Sequence, residues 1–355
     1  MKTSIIILSA VLSTGVACGD DGDGGDAADG GVQDAASIDA SVDATVDADI
    51  SADANIYPAS LRDTGLYSDF DGRVIASDVF EYEVQYPLWS DGAEKRRWVH
   101  LPAGTQIDTT DMDFWVYPEG TKLWKQFSDN GTLLETRFLQ KMGPTPADWI
   151  WISYGWNMAQ TEALEMPDGA DDVLGTTFDI PDQRNCSKCH EVQPDISIGF
   201  SAIQLAHAQP GVNLGSLVAD SLLTVDPVGV SPYFAVPGVG DEQAVLGYFH
   251  GNCGGCHHKN NVTLMETTAL NMRLEVATLG TVEETTSYSS IVGIAPQLGP
   301  SGPTALIEEG DPDASMIFFR MGLRDGASQM PPRGTEVVDT DFMVILSAWI
   351  TSLTP

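Results

Sequence analysis

The stretch YFHGNCGGCHHKN, Tyr248–Asn260, holds two cysteines, three histidines and three glycines, and the chain has only six histidines in 355 residues. A second stretch, NCSKCH at Asn185–His190, repeats its core. Each contains two cysteines three positions apart followed at once by a histidine: Cys186, Cys189 and His190 in one, Cys253, Cys256 and His257 in the other. Residues three apart on a helical turn share a face. Two such sulfurs can add to the vinyl groups on one porphyrin edge while the adjacent imidazole meets the iron. C-x-x-C-H is the attachment pattern of c-type haem. The spacing predicts two covalent haems, attached at Cys186, Cys189, Cys253 and Cys256, with His190 and His257 as iron ligands.

Three other readings use fewer of these residues. The knuckles of a zinc ribbon stand roughly 15–20 residues apart, whereas 64 positions separate Cys189 from Cys253. A thioredoxin-type pair explains neither the duplication nor the histidine. Ordinary disulfides leave His190 and His257 without a reason.

Composition limits the partners. The net charge is −34, from 17 basic and 51 acidic side chains, which argues against nucleic acid or an anionic membrane face and for a basic docking partner. Residues 1–54 carry eleven Asp and one Lys, hence −10 of that total. MKTSIIILSAVLSTGVACGD at the start has one Lys, an apolar run and small residues before Cys18. It reads as a secretory leader (1–18), too short for a membrane span. It also resembles a bacterial lipoprotein signal, with Gly15 where that signal usually has Leu, and would make Cys18 the lipid-bearing residue and the membrane contact. Residues 19–56 are nearly all small or acidic and read as a disordered tether. The expected location is outside the cytoplasm, in the periplasm or on an outer-membrane anchor.

Between residues 57 and 180 the text alternates in short aromatic segments: FEYEVQY (80–86), KRRWVHL (95–101), DFWVYP (113–118), KLWKQF (122–127), LLETRFLQ (133–140) and DWIWISYGW (148–156). Turn residues separate them, which predicts a β-sandwich or partly closed barrel with most of its tryptophans in the core. Residues 181–240 form a first haem segment, with His207 placed on a short helix in SIGFSAIQLAHAQPG. Residues 241–355 read as a class I cytochrome c-like domain. In it, a helix at DEQAVLGYFHGN, capped by Asp241, crosses another at VDTDFMVILSAWITSL. The predicted fold class is α+β multidomain, a β-sandwich-like domain followed by mainly α-helical cytochrome c-like haem domains.

Distal ligands follow less directly. Met330, in GASQMPPRG, is fixed in an extended loop by two prolines and is assigned to the second iron. No methionine lies between Cys189 and Met265, so His207 is assigned to the first iron, with the upstream Met158 and Met166 or an open position as alternatives. With His/His ligation the first haem would have the lower potential. His258 reads as an exposed neighbour of His257, and His250 as a packing residue near the second haem.

The segments YPLWSDGAEKRRWVHLPAGTQI, FWVYPEGTKLWKQF, LLETRFLQ, WNMAQTEA, the two cysteine motifs, GDPDASMIFFRM and MPPRG run from Tyr86 to the C-terminus. In them the chain resembles a bacterial family of two-haem c-type cytochrome lipoproteins. WNMAQTEA departs from that pattern at Met158. The resemblance implies an exported electron carrier and supplies Cys186, Cys189, His190, Cys253, Cys256, His257 and Met330 as matching positions. Its partners would be electron donor and acceptor proteins of the envelope. The rival reading is a two-haem peroxidase with one open iron position. A third treats residues 55–180 as a glycan- or partner-binding module.

Overall fold

The alternating segments around Trp98, Trp124, Phe138 and Ile152 form the middle of one antiparallel sheet in a computed structural model that describes residues 56–324, 326 and 328–354. The leader, Cys18 and the acidic tether through residue 55 lie outside the described residues. The strands are β1 Tyr67–Asp69, β2 Val74–Ile75, β3 Phe80–Glu81, β4 Glu94–His100, β5 Lys122–Asp129, β6 Thr132–Lys141, β7 Trp149–Trp156 and β8 Ala163–Glu165. β3 to β8 pair in chain order as a six-stranded meander, and β1 and β2 form a separate two-stranded ribbon.

Side chains alternate between faces along a strand, so the register sorts the meander into rows. Trp98, Trp124, Phe138 and Ile152 are successive cross-strand partners. They bury one face against Leu61, Leu66 and Phe70 from the preceding segment. The next row, Val99, Leu123, Leu139 and Trp151, points to the other face. It packs with Tyr117, Trp149, Ile196, Phe200, Leu205, Leu214 and Leu217. Each such fully buried side chain contributes roughly 1.5–3 kcal/mol. Both faces of the meander are thus covered by loops and short helices. The only other sheet among the described residues is the two-stranded β1–β2 ribbon, whose Tyr67 and Ile75 pack on the first face, and a six-stranded meander with so small a partner overturns the expected sandwich.

The helices are α1 Gln183–His190, α2 Ala202–Leu205, α3 Leu214–Ala219, α4 Asp241–Asn252, α5 Val262–Thr268, α6 Thr286–Ile291, α7 Met316–Met321 and α8 Thr340–Ser352. α4 packs on α8, with Val245 and Phe249 against Phe342, Leu346, Trp349 and Ile350. Asp339 caps α8 by accepting the Phe342 N–H at 3.0 Å. Asp241 is not a cap; it is the first residue of α4, after Gly240.

The expectation of mainly α-helical cytochrome c-like domains is also overturned. The described helices run from 4 to 13 residues and are separated by long irregular stretches. Glycine and proline set those limits: Pro210 and Gly211 follow α2, and Gly299 and Gly302, both at positive φ, stand beside Pro300 and Pro303. No helix among the described residues is long and apolar enough to cross a membrane.

Candidate functional site

The first motif is helical because Asp182 accepts the Asn185 N–H at 2.7 Å and caps α1, a common N-terminal device. Cys186 and Cys189 therefore stand one turn apart, and His190 is the last helical residue. His190 Nδ1 lies 2.8 Å from the Ile196 carbonyl oxygen. A carbonyl only accepts, so Nδ1 carries the proton and Nε2 keeps its lone pair. Metal-bound histidines are oriented in this way. Burial, reinforced by the nearby Arg137 and Lys125 charges, lowers the His190 pKa to about 4 and keeps the ring neutral.

The Ile196 turn is itself held from below. Ile196 has φ of 59° and is buried, a conformation rare for a β-branched residue that persists only where its surroundings fix it. The preceding residue, Asp195, supplies the fixing. Its carboxylate accepts from Lys141 Nζ at 2.8 Å, Trp149 Nε1 at 2.9 Å and the Tyr117 N–H at 2.6 Å.

The second motif lies past the end of α4. The N–H groups of Cys256 and His257 both donate to the Cys253 carbonyl, at 3.1 and 2.9 Å, closing a tight turn. Two glycines are explained by close approach. A Cβ on Gly251 would stand 2.3 Å from the Tyr86 carbonyl oxygen, and one on Gly254 would stand 2.7 Å from that of His250. Gly251→Ala is expected to destabilise the fold by about 1–3 kcal/mol through overpacking. Gly255→Ala, whose methyl would meet only Ile198 carbons at 3.7 Å, should leave the denaturation midpoint near wild type. Equal midpoints for the two variants would refute this account.

The structure brings the two motifs together, which sequence reading missed. The Cys256 and Cys189 sulfurs are 3.0 Å apart. With Cys256 donating, its thiol pKa is raised and that of Cys189 is lowered. Burial pushes the Cys253 thiol up to about 12. Gln193, three residues after His190, donates to the Gly255 carbonyl, and its amide nitrogen lies 3.0 Å from His258 Nε2. His258 is therefore not exposed; it is fully buried, and its Nδ1 accepts the Asn260 N–H. Nothing local in the sequence marks Gln193.

The other candidates fall as follows. His207 lies beyond the end of α2, not on it. Its Nε2 donates to the Glu83 carbonyl at 3.0 Å, and its Nδ1 accepts the Gln209 N–H at 3.1 Å. Both ring nitrogens are engaged by backbone, so His207 has no lone pair to offer iron, and the potential order argued from it has no basis. His250 Nδ1 accepts the Leu274 N–H at 3.1 Å. Met158 is 71% exposed, and Met166 packs beside Phe127, Phe178 and Ile180. Met330 is half-buried, and its N–H donates to the Arg320 carbonyl at 3.0 Å. Arg320 is near enough to His257 to help burial depress that ring's pKa to about 4.

The residue types at each motif, two cysteines and a following histidine, are those that hold a haem covalently. Among the described residues all four motif cysteines are free thiols. His190 has Nδ1 engaged by the Ile196 carbonyl, and His257 Nδ1 is buried without a partner. Compared with protein-family models, curated proteins and solved structures, the chain matches none.

Proposed function

We propose that this chain is an exported two-haem c-type cytochrome that passes single electrons between partners in the cell envelope. One observation carries the reading: two C-x-x-C-H motifs, one with its histidine hydrogen-bonded so that Nε2 is free, are held against each other by the Cys189–Cys256 contact and Gln193.

Haem, when bound there, supplies a one-electron iron couple. Cys186, Cys189, Cys253 and Cys256 would hold it by thioether bonds, His190 and His257 would ligate iron, and Met330 would be a further ligand candidate at the second motif. The Ile196 carbonyl holds the His190 ring and makes it more basic toward metal. The Lys141–Asp195 pair holds that carbonyl in place. Residues 55–355 retain −24 of net charge, so docking would favour a basic partner and transfer would slow as salt screens the attraction. Cys18, if lipidated, would tether the chain to a membrane.

The test is the haem content of chain matured alongside the attachment machinery. Pyridine haemochrome should give two haems per chain, and material free of covalent porphyrin would end the reading.

The peroxidase reading is favoured by one finding, the engagement of both His207 nitrogens, which takes the expected sixth ligand from the first iron. Two low-spin irons support the carrier. A high-spin iron that binds cyanide and turns over peroxide would replace it with the enzyme.

A further inference from the structure

The covered face of the sheet carries a row of cations. Arg97, Lys125, Arg137 and Ser153 are successive cross-strand partners on β4, β5, β6 and β7. The row is one step along the strands from the apolar row Val99, Leu123, Leu139 and Trp151, on the same face. Lys95 lies one step further on the same strand as Arg97. Four of the chain's 17 cations therefore gather on one face of an acidic protein.

Little compensates them. Arg137 is bonded to the fully buried Glu135 at 2.8 and 3.0 Å. Arg97, with a side chain only 7% exposed, has Glu83 no closer than 3.9 Å. Lys95 donates to the Ala93 carbonyl. Lys125 stands between the two guanidiniums over the Phe127 ring, with no carboxylate bonded to it among the described residues. Desolvation and the adjoining cations drive its pKa well below the usual lysine value. Arg97 is buried and Lys95, Lys125 and Arg137 are half-buried; gathering like charges partly out of water is costly unless an anion joins them.

The row adjoins the first motif. Gln183, the first residue of α1, donates through Nε2 to the Trp151 carbonyl at 2.8 Å, and Trp151 is two positions from Ser153 on β7. The Arg137 charge is felt at Cys186, Cys189 and His190. A porphyrin joined at Cys186 and Cys189 brings two propionate carboxylates of its own.

We infer that Arg97, Lys125 and Arg137 form a carboxylate-binding row for the propionates of the haem carried by the first motif. This rests on the two-haem reading above. It also gives the sheet a role, because the meander sets the charge around one iron. Lys125 is the decisive member, since no carboxylate pairs with it among the described residues.

The test compares full-length, haem-loaded wild type with Lys125→Met and Lys125→Arg by redox titration across pH, with haem content measured on each. For Lys125→Met the expected result is two haems per chain and one wave shifted to lower potential, because an uncompensated propionate stabilises Fe(III). That wave should also acquire a pH dependence near neutrality, while the other stays in place and Lys125→Arg behaves as wild type. Two haems with both waves unmoved in Lys125→Met would overturn the row while leaving the two-haem reading intact. Wild type without haem would remove both. If Lys125→Met does not mature, Lys125→Gln takes its place, and wild type itself must show one wave independent of pH where free propionates titrate. A wave that moves with pH there would overturn the row.

Discussion

Asp195→Asn should lower the stability of the chain by about 3–5 kcal/mol, the usual consequence of stranding a buried charge. The substitution keeps size and shape but leaves Lys141, whose side chain is 1% exposed, without its counter-charge. Lys141→Met should cost less. It leaves the Asp195 carboxylate with two N–H donors, from Trp149 and Tyr117. In the double variant no charge remains, and the introduced carboxamide can still accept one of those bonds. Its stability should recover part of the loss, since replacing a buried pair by neutral groups is often close to neutral. Denaturant unfolding of the three variants gives the answer, and Asp195→Asn unfolding at the wild-type midpoint would refute the account. The effect extends beyond stability, because Asp195 precedes the Ile196 carbonyl that orients His190. A loosened turn should broaden or shift one redox wave, whereas damage confined to packing would move the midpoint alone.

The central strands were legible because each is a run of at least six residues carrying aromatic or β-branched side chains and bounded by turn residues. KRRWVHL, KLWKQF, LLETRFLQ and DWIWISYGW correspond to β4 to β7 within one or two residues. FEYEVQY alternates strictly and DFWVYP is as rich in aromatics, but neither is sheet over its length. Tyr82 bridges Val212 and the Gln85 N–H bonds to the Gln204 carbonyl, so long-range partners displaced the expected neighbours. Sequence alone does not reveal such pairings. Helix content was over-read for a related reason. Apolar spacing in SIGFSAIQLAHAQPG suits a helix, yet only Ala202–Leu205 form one before the chain turns toward Pro210. The cationic row was visible as letters, since Lys125 and Arg137 alternate with Trp124, Gln126, Thr136 and Phe138. Charges at every second strand position ordinarily mark a solvent face. Only the structure shows that this face is covered. The two C-x-x-C-H patterns are local and visible in the text; that they meet across 64 positions is not.

That meeting makes the second motif separable from the first in one experiment. On the proposed two-haem reading, replacing Cys253 and Cys256 by alanine should lower covalent haem from two per chain to one and remove one redox wave. The thioether bonds need those sulfurs, and His257 alone would hold a porphyrin only by its iron bond. The first motif should survive, because what shapes it lies elsewhere: Asp182 caps α1, the Ile196 carbonyl holds His190, and Gln193 reaches the backbone carbonyl of Gly255 and the His258 ring, which the substitutions leave in place. Losing the 3.0 Å sulfur contact removes a neighbour from Cys189 without removing a support of its helix. A dithiol function for Cys189 and Cys256 predicts the reverse pattern. Wild type would carry its four motif cysteines as titratable thiols and no porphyrin, and the variant would lose two thiols with no change in the visible spectrum. Mass measurement of the denatured chain separates the cases, because covalent haem stays attached after unfolding. A variant that keeps two haems, or one that loses both while still folded, would mean that the motifs do not act as two attachment sites fixed independently on one frame.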